Sequence, residues 1–202
     1  GADPAGASGV MRGLDEACMR LVEGQYLDMS FETRHDVTLD EYLQMAGGKT
    51  AAMFAAPFAI GAILAGASEA TVAALRAYGR HVGLSFQMVD DVLGIWGDPA
   101  VTGKPVGDDL SSRKMTYPVI LALESTEEAG ESLRRAYASP PGPDDRIDAM
   151  AGWVEATGAR AATEAKAREE LRQAMDALTG SGLAPDAIEV LAEYAEAAVG
   201  RV

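Results

Sequence analysis

The protein has 202 residues, 17 basic and 31 acidic, with a net charge of −14 and 48% hydrophobic side chains. This negative charge excludes electrostatically driven binding to nucleic acid or to an anionic membrane surface. The apolar content suffices for one substantial core, so residues 1–202 are expected to form a single domain. Cys18 stands alone and can form neither an internal disulfide nor a zinc cluster. The first eleven residues lack the regions of a signal peptide, and a cytoplasmic location is expected.

The first predicted helix carries polar residues where a core stripe is expected. Apolar positions recur at helical spacing from Leu14 through Cys18 to Leu21 and Val22. Gln25 and Asp28 continue the same stripe. The pattern predicts a helix that turns two polar side chains toward the interior.

The second predicted helix begins at a capping box. Thr38 and Glu41 satisfy reciprocal backbone donors at its start. The helix runs through Gly47 and Gly48, where we expect a kink. It then enters residues 51–68, an uncharged stretch with eight alanines, two glycines and a proline. Such weak hydrophobicity favours a buried, close-packed helix over a membrane span.

The rest of the chain also shows helical periodicity. A third helix is predicted from Ser68 to Trp96, where Gly97 and Pro99 end it. Residues 98–112 are predicted to be a loop, and residues 139–143 a second break. Further helices are predicted at residues 115–124, about 144–157, 160–178 and 185–199. No alternating strand pattern is found, and the fold class is predicted to be all-α.

One face of the third helix is polar. Gln87, Asp90, Asp91 and Gly94 stand at i, i+3, i+4 and i+7 and therefore share that face. Adjacent carboxylates offer oxygen ligands to Mg²⁺, which keeps several waters and is completed by substrate phosphates. The alternative is a solvated acidic face, although flanking valines weigh against it.

Three lysines form a second candidate group. Lys49 follows the double glycine, Lys104 lies in the Gly-rich loop and Lys114 follows that loop. Each lysine taken alone is compatible with a surface role. Together with the carboxylate pair they suit a polyanion whose charge is shared between metal ions and ammonium groups.

These segments resemble the motifs of a known family. FQMVDDVLG at 86–94, GKPVGDDL at 103–110 and KMTYP at 114–118 are similar to the second aspartate-rich region of trans-isoprenyl diphosphate synthases, also called polyprenyl synthases. Upstream, GQYLD at 24–28 resembles the GQxxD helix of that family, and Lys49-Thr50 its Lys-Thr kink. The motifs stand in the family's order over about residues 20 to 120. The resemblance implies the C-terminal part of the isoprenoid-synthase helical bundle.

The resemblance also implies a reaction. In this family an allylic diphosphate loses pyrophosphate, and isopentenyl diphosphate attacks the resulting cation, which lengthens the chain by five carbons. The charge that develops on the departing group is stabilised electrostatically.

The resemblance assigns a role to each matching residue. Asp90 and Asp91 would hold Mg²⁺, and diphosphate oxygens would contact Lys49, Lys104 and Lys114. Thr50 and Gln87 would stand beside the reacting carbons with Lys49, and Gln25 and Asp28 would line the cavity behind them.

The chain departs from the family in several places. The second motif is usually DDxxD, and Gly94 stands at its last position. We therefore expect weaker metal binding on that face, with Asp98 able to hold a metal-bound water at most. Asp108 and Arg113 stand where small residues are commoner. The first aspartate-rich motif, expected upstream of GQxxD, is absent from these residues.

Three hypotheses follow from these departures. The chain is a piece of a prenyltransferase that another polypeptide or an upstream segment completes, forming a homo- or hetero-oligomer. Alternatively, it is a non-catalytic partner subunit of a prenyl synthase. A class I terpene cyclase is the third reading, and the absent asparagine-serine-glutamate metal motif argues against it.

Overall fold

A computed structural model describes residues 4–103, 105–139, 141–142 and 146–200. These described residues form eleven α-helices and no strand, which confirms the predicted all-α class. The helices are α1 (Pro4–Phe31), α2 (Leu39–Ala46), α3 (Ala52–Leu64), α4 (Glu69–Trp96), α5 (Pro99–Thr102), α6 (Asp108–Ser111), α7 (Tyr117–Glu124), α8 (Glu128–Tyr137), α9 (Ile147–Ala156), α10 (Ala159–Ala177) and α11 (Pro185–Val199).

Helix α4 lies at the centre of the bundle and packs mainly against α3 and α10. The larger core surrounds its C-terminal half, where fully buried side chains such as Met88 and Ile95 meet residues of α2 and α7 to α10. A smaller core surrounds its N-terminal half and includes Tyr78 and Val82 together with residues of α10 and α11. The polar face of α4 therefore belongs to a rigid helix that is held on several sides.

The prediction that the apolar stripe of the first helix faces the core is wrong. Leu14, Cys18 and Val22 are exposed, and α1 begins ten residues before Leu14, at Pro4. Apart from Phe31 at its C-terminal end, its buried positions are Ala17 and Gly24, which carry a small side chain or none. Small residues bring the α1 backbone close to α3 and to the turn before it, so apolar periodicity misidentified the packed face.

Helix α2 leads into helix α3 through the two glycines at which a kink is expected. The Thr38 capping box is confirmed, because the Thr38 hydroxyl accepts from Glu41 N at 3.2 Å and Glu41 Oε2 accepts from Thr38 N at 2.9 Å. Gly47–Ala51 forms one π-helical turn, called the π-turn below, that leads directly into α3. Inserting an extra residue into a helix in this way is typical of functional sites.

The stretch Leu39–Leu64 is long and apolar enough to cross a bilayer, with a mean hydropathy of 1.3, which is weak evidence since core helices pass the same test. One face of α3 is buried, as expected, and carries Ala55, Ala59 and Ala62. Met53 and Leu64 on the other side are exposed. The expectation of a buried helix therefore holds for a single face.

Close backbone contact joins α3 to α4. A β-carbon at Gly79 would stand 2.7 Å from Phe54 O, and one at Gly83 would stand 2.6 Å from Ala51 Cα. Helix α4 begins after Ser68, as predicted, and the Ser68 hydroxyl caps it by accepting from Thr71 N at 3.1 Å. It ends at Trp96, as predicted. The two glycines set the separation between the π-turn and the polar face of α4.

The second half of the chain differs from the sequence-based expectation in its short elements. Residues 98–112, predicted to be a loop, contain α5 and α6, and α7 begins two residues later than expected. Helix α8 was not predicted. The last three helices lie close to the predicted ranges, and α11 matches its range.

The contact between α4 and α10 includes a buried carboxylate, Glu170. His81 Nδ1 lies 2.7 Å from its Oε2, and Lys166 Nζ lies 2.6 Å from its Oε1. Burial raises the pKa of Glu170, whereas the hydrogen bonds from His81 and Lys166 lower it. The lowering is larger in sum, so the pKa lies below its ordinary value of 4.5.

We expect Glu170→Gln to destabilise the fold by about 1–3 kcal/mol at neutral pH, because an amide cannot accept from both neighbours as a carboxylate does. The folded pKa is lowered, so this stabilisation is present above about pH 4.5 and disappears as the pH falls through the folded pKa. Urea unfolding as a function of pH measures both effects. Exposed Glu189→Gln on α11 is the control, and equal losses for the two variants would contradict the expectation.

Candidate active site

Asp91 is the centre of a buried hydrogen-bond network. Its Oδ2 accepts from the Tyr42 hydroxyl at 2.7 Å and from Tyr117 N at 2.9 Å, and its Oδ1 accepts from Gln87 Nε2 at 3.0 Å. Both Asp91 and Tyr42 are buried, and the Tyr42 ring packs edge-on against Tyr117. Three elements, α2, α4 and α7, are therefore joined at one carboxylate.

The network reaches the π-turn through an amide. The Thr50 hydroxyl donates to Gln87 Oε1 at 2.6 Å, while the Nε2 of the same side chain donates to Asp91. Both Thr50 and Gln87 remain partly accessible. Asp91 fixes the orientation of the Gln87 amide, because the Nε2 end must face the carboxylate. The Oε1 end therefore faces the Thr50 hydroxyl.

Burial raises the pKa of Asp91 to about 6. The Lys114 ammonium and the hydrogen bonds from Tyr117 N, Tyr42 and Gln87 oppose this rise and lower the pKa in part. Asp91 thus ionises less readily than a solvated aspartate, whereas Asp90 beside it is only half-buried. The two adjacent carboxylates occupy different environments.

Two glycines bring Lys49 to Asp28. A β-carbon at Gly24 of α1 would overlap Lys49 N and would lie 2.8 Å from Gly48 C, and one at Gly48 would stand 2.7 Å from Arg20 O. The two backbones therefore touch where α1 crosses the π-turn. One helical turn beyond this crossing, the Lys49 ammonium donates to Asp28 Oδ2 in a partly buried ion pair.

Lys114 lies among the carboxylates of the site. Burial lowers the pKa of its ammonium, but the negative charges of Asp109, Asp91, Asp28 and Asp90 raise it by more, so the net pKa is above its ordinary value. The nearest carboxylate oxygen, Asp109 Oδ1, lies 3.6 Å from Lys114 Nζ. Lys114 is therefore charged at neutral pH, and it links the α1 and α4 parts of the site electrostatically.

Magnesium fits the donors at this site. Among the described residues, no three acidic, histidine or cysteine side chains are close enough to hold a metal ion alone. A magnesium ion does not need such a group, because one or two carboxylates, water and substrate phosphates complete its shell. Asp90, half-buried on the polar face of α4, offers a carboxylate for this purpose.

Other sequence-predicted residues have different surroundings. Lys104 lies outside the described residues, so its predicted role stays a prediction. Gln25 is exposed on α1, in contrast to the expected interior position. Asp98 caps α5 by accepting from Ala100 N at 2.8 Å.

The two residues that stand where the family commonly has small ones also differ from each other. Asp108 is half-buried at the start of α6. Arg113 is buried, adopts a left-handed φ of 55° and places its guanidinium 5.4 Å from the centroid of the Tyr137 ring. Its charge thus turns into the core.

Several residues that organise the site were not predicted from the sequence. Tyr42 supports Asp91 from α2, and the crossing of Gly24 and Gly48 sets the position of Lys49. Asp109 contributes a further carboxylate next to Lys114. Gly24 and Gly48 belong to the GQxxD and GGK segments and are visible in the sequence. Only the folded structure shows that their backbones are in contact.

Comparison with known proteins is consistent with these motifs. The polyprenyl synthetase family model matches residues 5–153. A (2E,6E)-farnesyl diphosphate synthase from Mycobacterium bovis is 46% identical over 180 residues, which are 87% of this chain and 50% of that protein. A geranylgeranyl diphosphate synthase from Mycobacterium tuberculosis is 42% identical over 88% of this chain and 51% of its own length. The chain thus spans about half the length of the curated relatives it matches.

Solved structures show the same helical arrangement. The crystal structure of a polyprenyl synthetase from Streptomyces coelicolor A3(2) superposes with a TM-score of 0.89 at 38% identity, covering 96% of this chain and 60% of that one. A geranylgeranyl pyrophosphate synthase from Corynebacterium glutamicum, complexed with isoprenyl diphosphate and magnesium, gives 0.88 at 29% identity, covering 100% of this chain and 58% of that one. The chain belongs to the polyprenyl synthetase family.

Proposed function

We propose that this chain supplies the C-terminal half of the active site of a magnesium-dependent prenyltransferase, which joins an allylic diphosphate to isopentenyl diphosphate. The observation that carries the proposal is the continuous polar network from Thr50 through Gln87 to Asp91, with Lys49 and Lys114 at its edge. The two ammonium groups can bind a polyanion, and the oriented Thr50 hydroxyl and Gln87 amide lie beside them. The sequence of the Mycobacterium bovis farnesyl diphosphate synthase, 46% identical, supports the same class of substrate.

Each residue has a task in this proposal. Lys49 and Lys114 would exchange their carboxylate partners for diphosphate oxygens, since both ammonium groups are half-exposed and already oriented by ion pairs. Thr50 and Gln87 would direct their oxygens toward the positive charge that develops on the allylic carbon. Lys104 is assigned to the diphosphate by its motif alone.

Asp90 and Asp91 are the proposed magnesium-binding pair, and their different surroundings give them different roles. Asp90 would contribute a direct ligand, because its carboxylate is half-exposed. Asp91 would hold the helix face in place while its oxygens accept three hydrogen bonds. A bound magnesium ion supplies charge neutralisation for the departing pyrophosphate.

Activity in this proposal needs a polypeptide segment that carries the first aspartate-rich motif, on another chain or upstream of Gly1. A homo- or hetero-oligomer in the cytoplasm is part of the same proposal. The chain incubated alone with Mg²⁺, isopentenyl diphosphate and an allylic diphosphate is expected to give no elongated product. Addition of a segment bearing DDxxD, or of a copurifying partner, is expected to restore product formation, as measured by chromatography of radiolabelled prenyl diphosphates.

Asp90→Ala is expected to lower that complemented activity by about 10²–10³-fold, because charge stabilisation of the leaving group is lost. Exposed Asp148→Ala on α9 is the control and is expected to keep full activity. Product from the chain alone would contradict the need for a second segment. A copurifying synthase that retains its activity with Asp90→Ala would instead support a non-catalytic partner subunit.

A further inference from the structure

The hydrogen-bond chain that runs from Asp91 to Thr50 has one direction. The backbone N–H of Tyr117 can only donate, and it lies 2.9 Å from Asp91 Oδ2, which also accepts from the Tyr42 hydroxyl at 2.7 Å. Burial raises the pKa of Asp91 to about 6, so its carboxylate is ionised at about pH 8 and can only accept. Its Oδ1 therefore faces the Nε2 end of Gln87, at 3.0 Å.

The same direction continues to the accessible end of the chain. Gln87 Oε1 lies 2.6 Å from Thr50 Oγ1 and accepts its proton. A hydroxyl has a single proton and two lone pairs, so Thr50 has no proton left to donate elsewhere. Both side chains remain partly accessible, in contrast to the buried Asp91. The accessible end therefore presents oxygen lone pairs and no O–H proton.

An amide at position 91 would reverse this direction. The atom next to Tyr117 N must stay an oxygen, because that N–H can only donate, and the amide nitrogen would therefore face Gln87. Gln87 would turn its Oε1 to this nitrogen and its Nε2 to Thr50, which would then accept. The Thr50 hydroxyl proton and the second Nε2 proton would both be free, so the accessible end would change from acceptor to donor.

We propose that Asp91 is a positioning residue that acts through Gln87, and that it makes the Thr50 hydroxyl and the Gln87 amide acceptors toward the reacting carbon. Oxygen lone pairs attract a developing positive charge, whereas O–H and N–H protons repel it. The functional part of this inference rests on the proposed function, in which these two side chains face the allylic carbon. The direction of the hydrogen-bond chain does not rest on it.

Neutron diffraction from perdeuterated crystals of the full chain tests the direction at about pH 8, where the Asp91 carboxylate is ionised. In the wild type, the Gln87 amide deuterons are expected on the side of Asp91, and the Thr50 deuteron is expected to point to Gln87 Oε1. In Asp91→Asn both are expected to be reversed. Exposed Asp148→Asn is the control and is expected to keep the wild-type arrangement. An unreversed Gln87 amide in Asp91→Asn would overturn the inference.

A double-mutant cycle tests the role of Asp91 in the complemented enzyme. Thr50→Val removes the hydroxyl at nearly constant shape and is expected to lower kcat by about 10–100-fold, because an oriented acceptor is lost. Asp91→Asn is expected to lower kcat by a similar factor of about 10–100, because the acceptors become donors. Adding Thr50→Val to Asp91→Asn is expected to cost no more than about twofold further, since the hydroxyl already presents a proton.

Two kinetic results would overturn the role of Asp91. Losses that multiply in the double variant would show that Asp91 acts independently of the Thr50 hydroxyl. Full recovery of the Asp91→Asn activity by excess Mg²⁺ would show that only metal affinity was lost. If the unsubstituted complemented protein forms no product, the proposed function fails, and with it the functional part of the inference. The neutron structures would still decide the direction of the hydrogen-bond chain.

Discussion

Gly24→Ala is expected to destabilise the fold by about 3 kcal/mol or more, because a methyl group has no place where α1 crosses the π-turn. The new β-carbon would overlap Lys49 N and approach Gly48 C to 2.8 Å. Both obstacles are backbone atoms, which cannot rotate away as a side chain can. The two elements must separate, and the ion pair between Asp28 and Lys49 then loses its geometry.

Gly47→Ala is the matched control, one residue before Gly48 in the same turn. Gly47 is helical, with φ of −61°, and an added β-carbon meets nothing within 4 Å. We expect it to be neutral or to stabilise by about 0.5–1 kcal/mol, since alanine loses less backbone entropy in a helix. Urea unfolding of both variants measures the difference. Equal stabilities would mean that the backbones of α1 and the π-turn are not in contact.

Asp91→Asn is expected to stabilise the metal-free protein by up to about 3 kcal/mol at neutral pH. The ordinary pKa of an aspartate is 3.8, and that of Asp91 is about 6. The folded protein therefore binds this proton more tightly than the unfolded chain, and stability falls as the pH rises from about 4 to about 6. An amide carries no charge, so the variant lacks this loss, and the two proteins converge in stability near pH 4.

Asparagine also preserves the acceptor for the buried donors. Its oxygen can accept from Tyr42 and Tyr117 N, and the Gln87 amide can turn to accept from the new Nδ2. Asp91→Ala removes that acceptor, so we expect it to be about 2–4 kcal/mol less stable than Asp91→Asn at every pH. Urea unfolding between about pH 4 and pH 7.5, with a chelator, tests both statements. A pH dependence of Asp91→Asn that equals the wild type would contradict the assignment of the raised pKa.

The long elements could be predicted because each has a local cause. The Thr38 capping box and the stop at Gly97 depend on hydrogen bonds between residues close in the chain. Such contacts are visible in sequence spacing. The shared face of Gln87 and Asp91 follows from helical periodicity in the same way.

The first helix shows where periodicity fails. Its apolar residues suggested a core face, yet Val22 is 67% exposed while Gly24 is buried. Close backbone packing selects small residues, which carry no hydrophobic signal. Helix α8 was not predicted either, although its buried residues Leu133 and Tyr137 stand four positions apart.

The sequence by itself determined the helical class, the family and the set of chemical groups, since these depend on local spacing and on residues within single motifs. Only the tertiary structure decided which groups meet. Tyr42 is 49 residues from Asp91, and Asp109 reaches the space of Gly94 from another helix. Contacts between distant segments depend on how whole helices pack, and a local pattern carries no record of the backbone separation or of the space left beside a glycine.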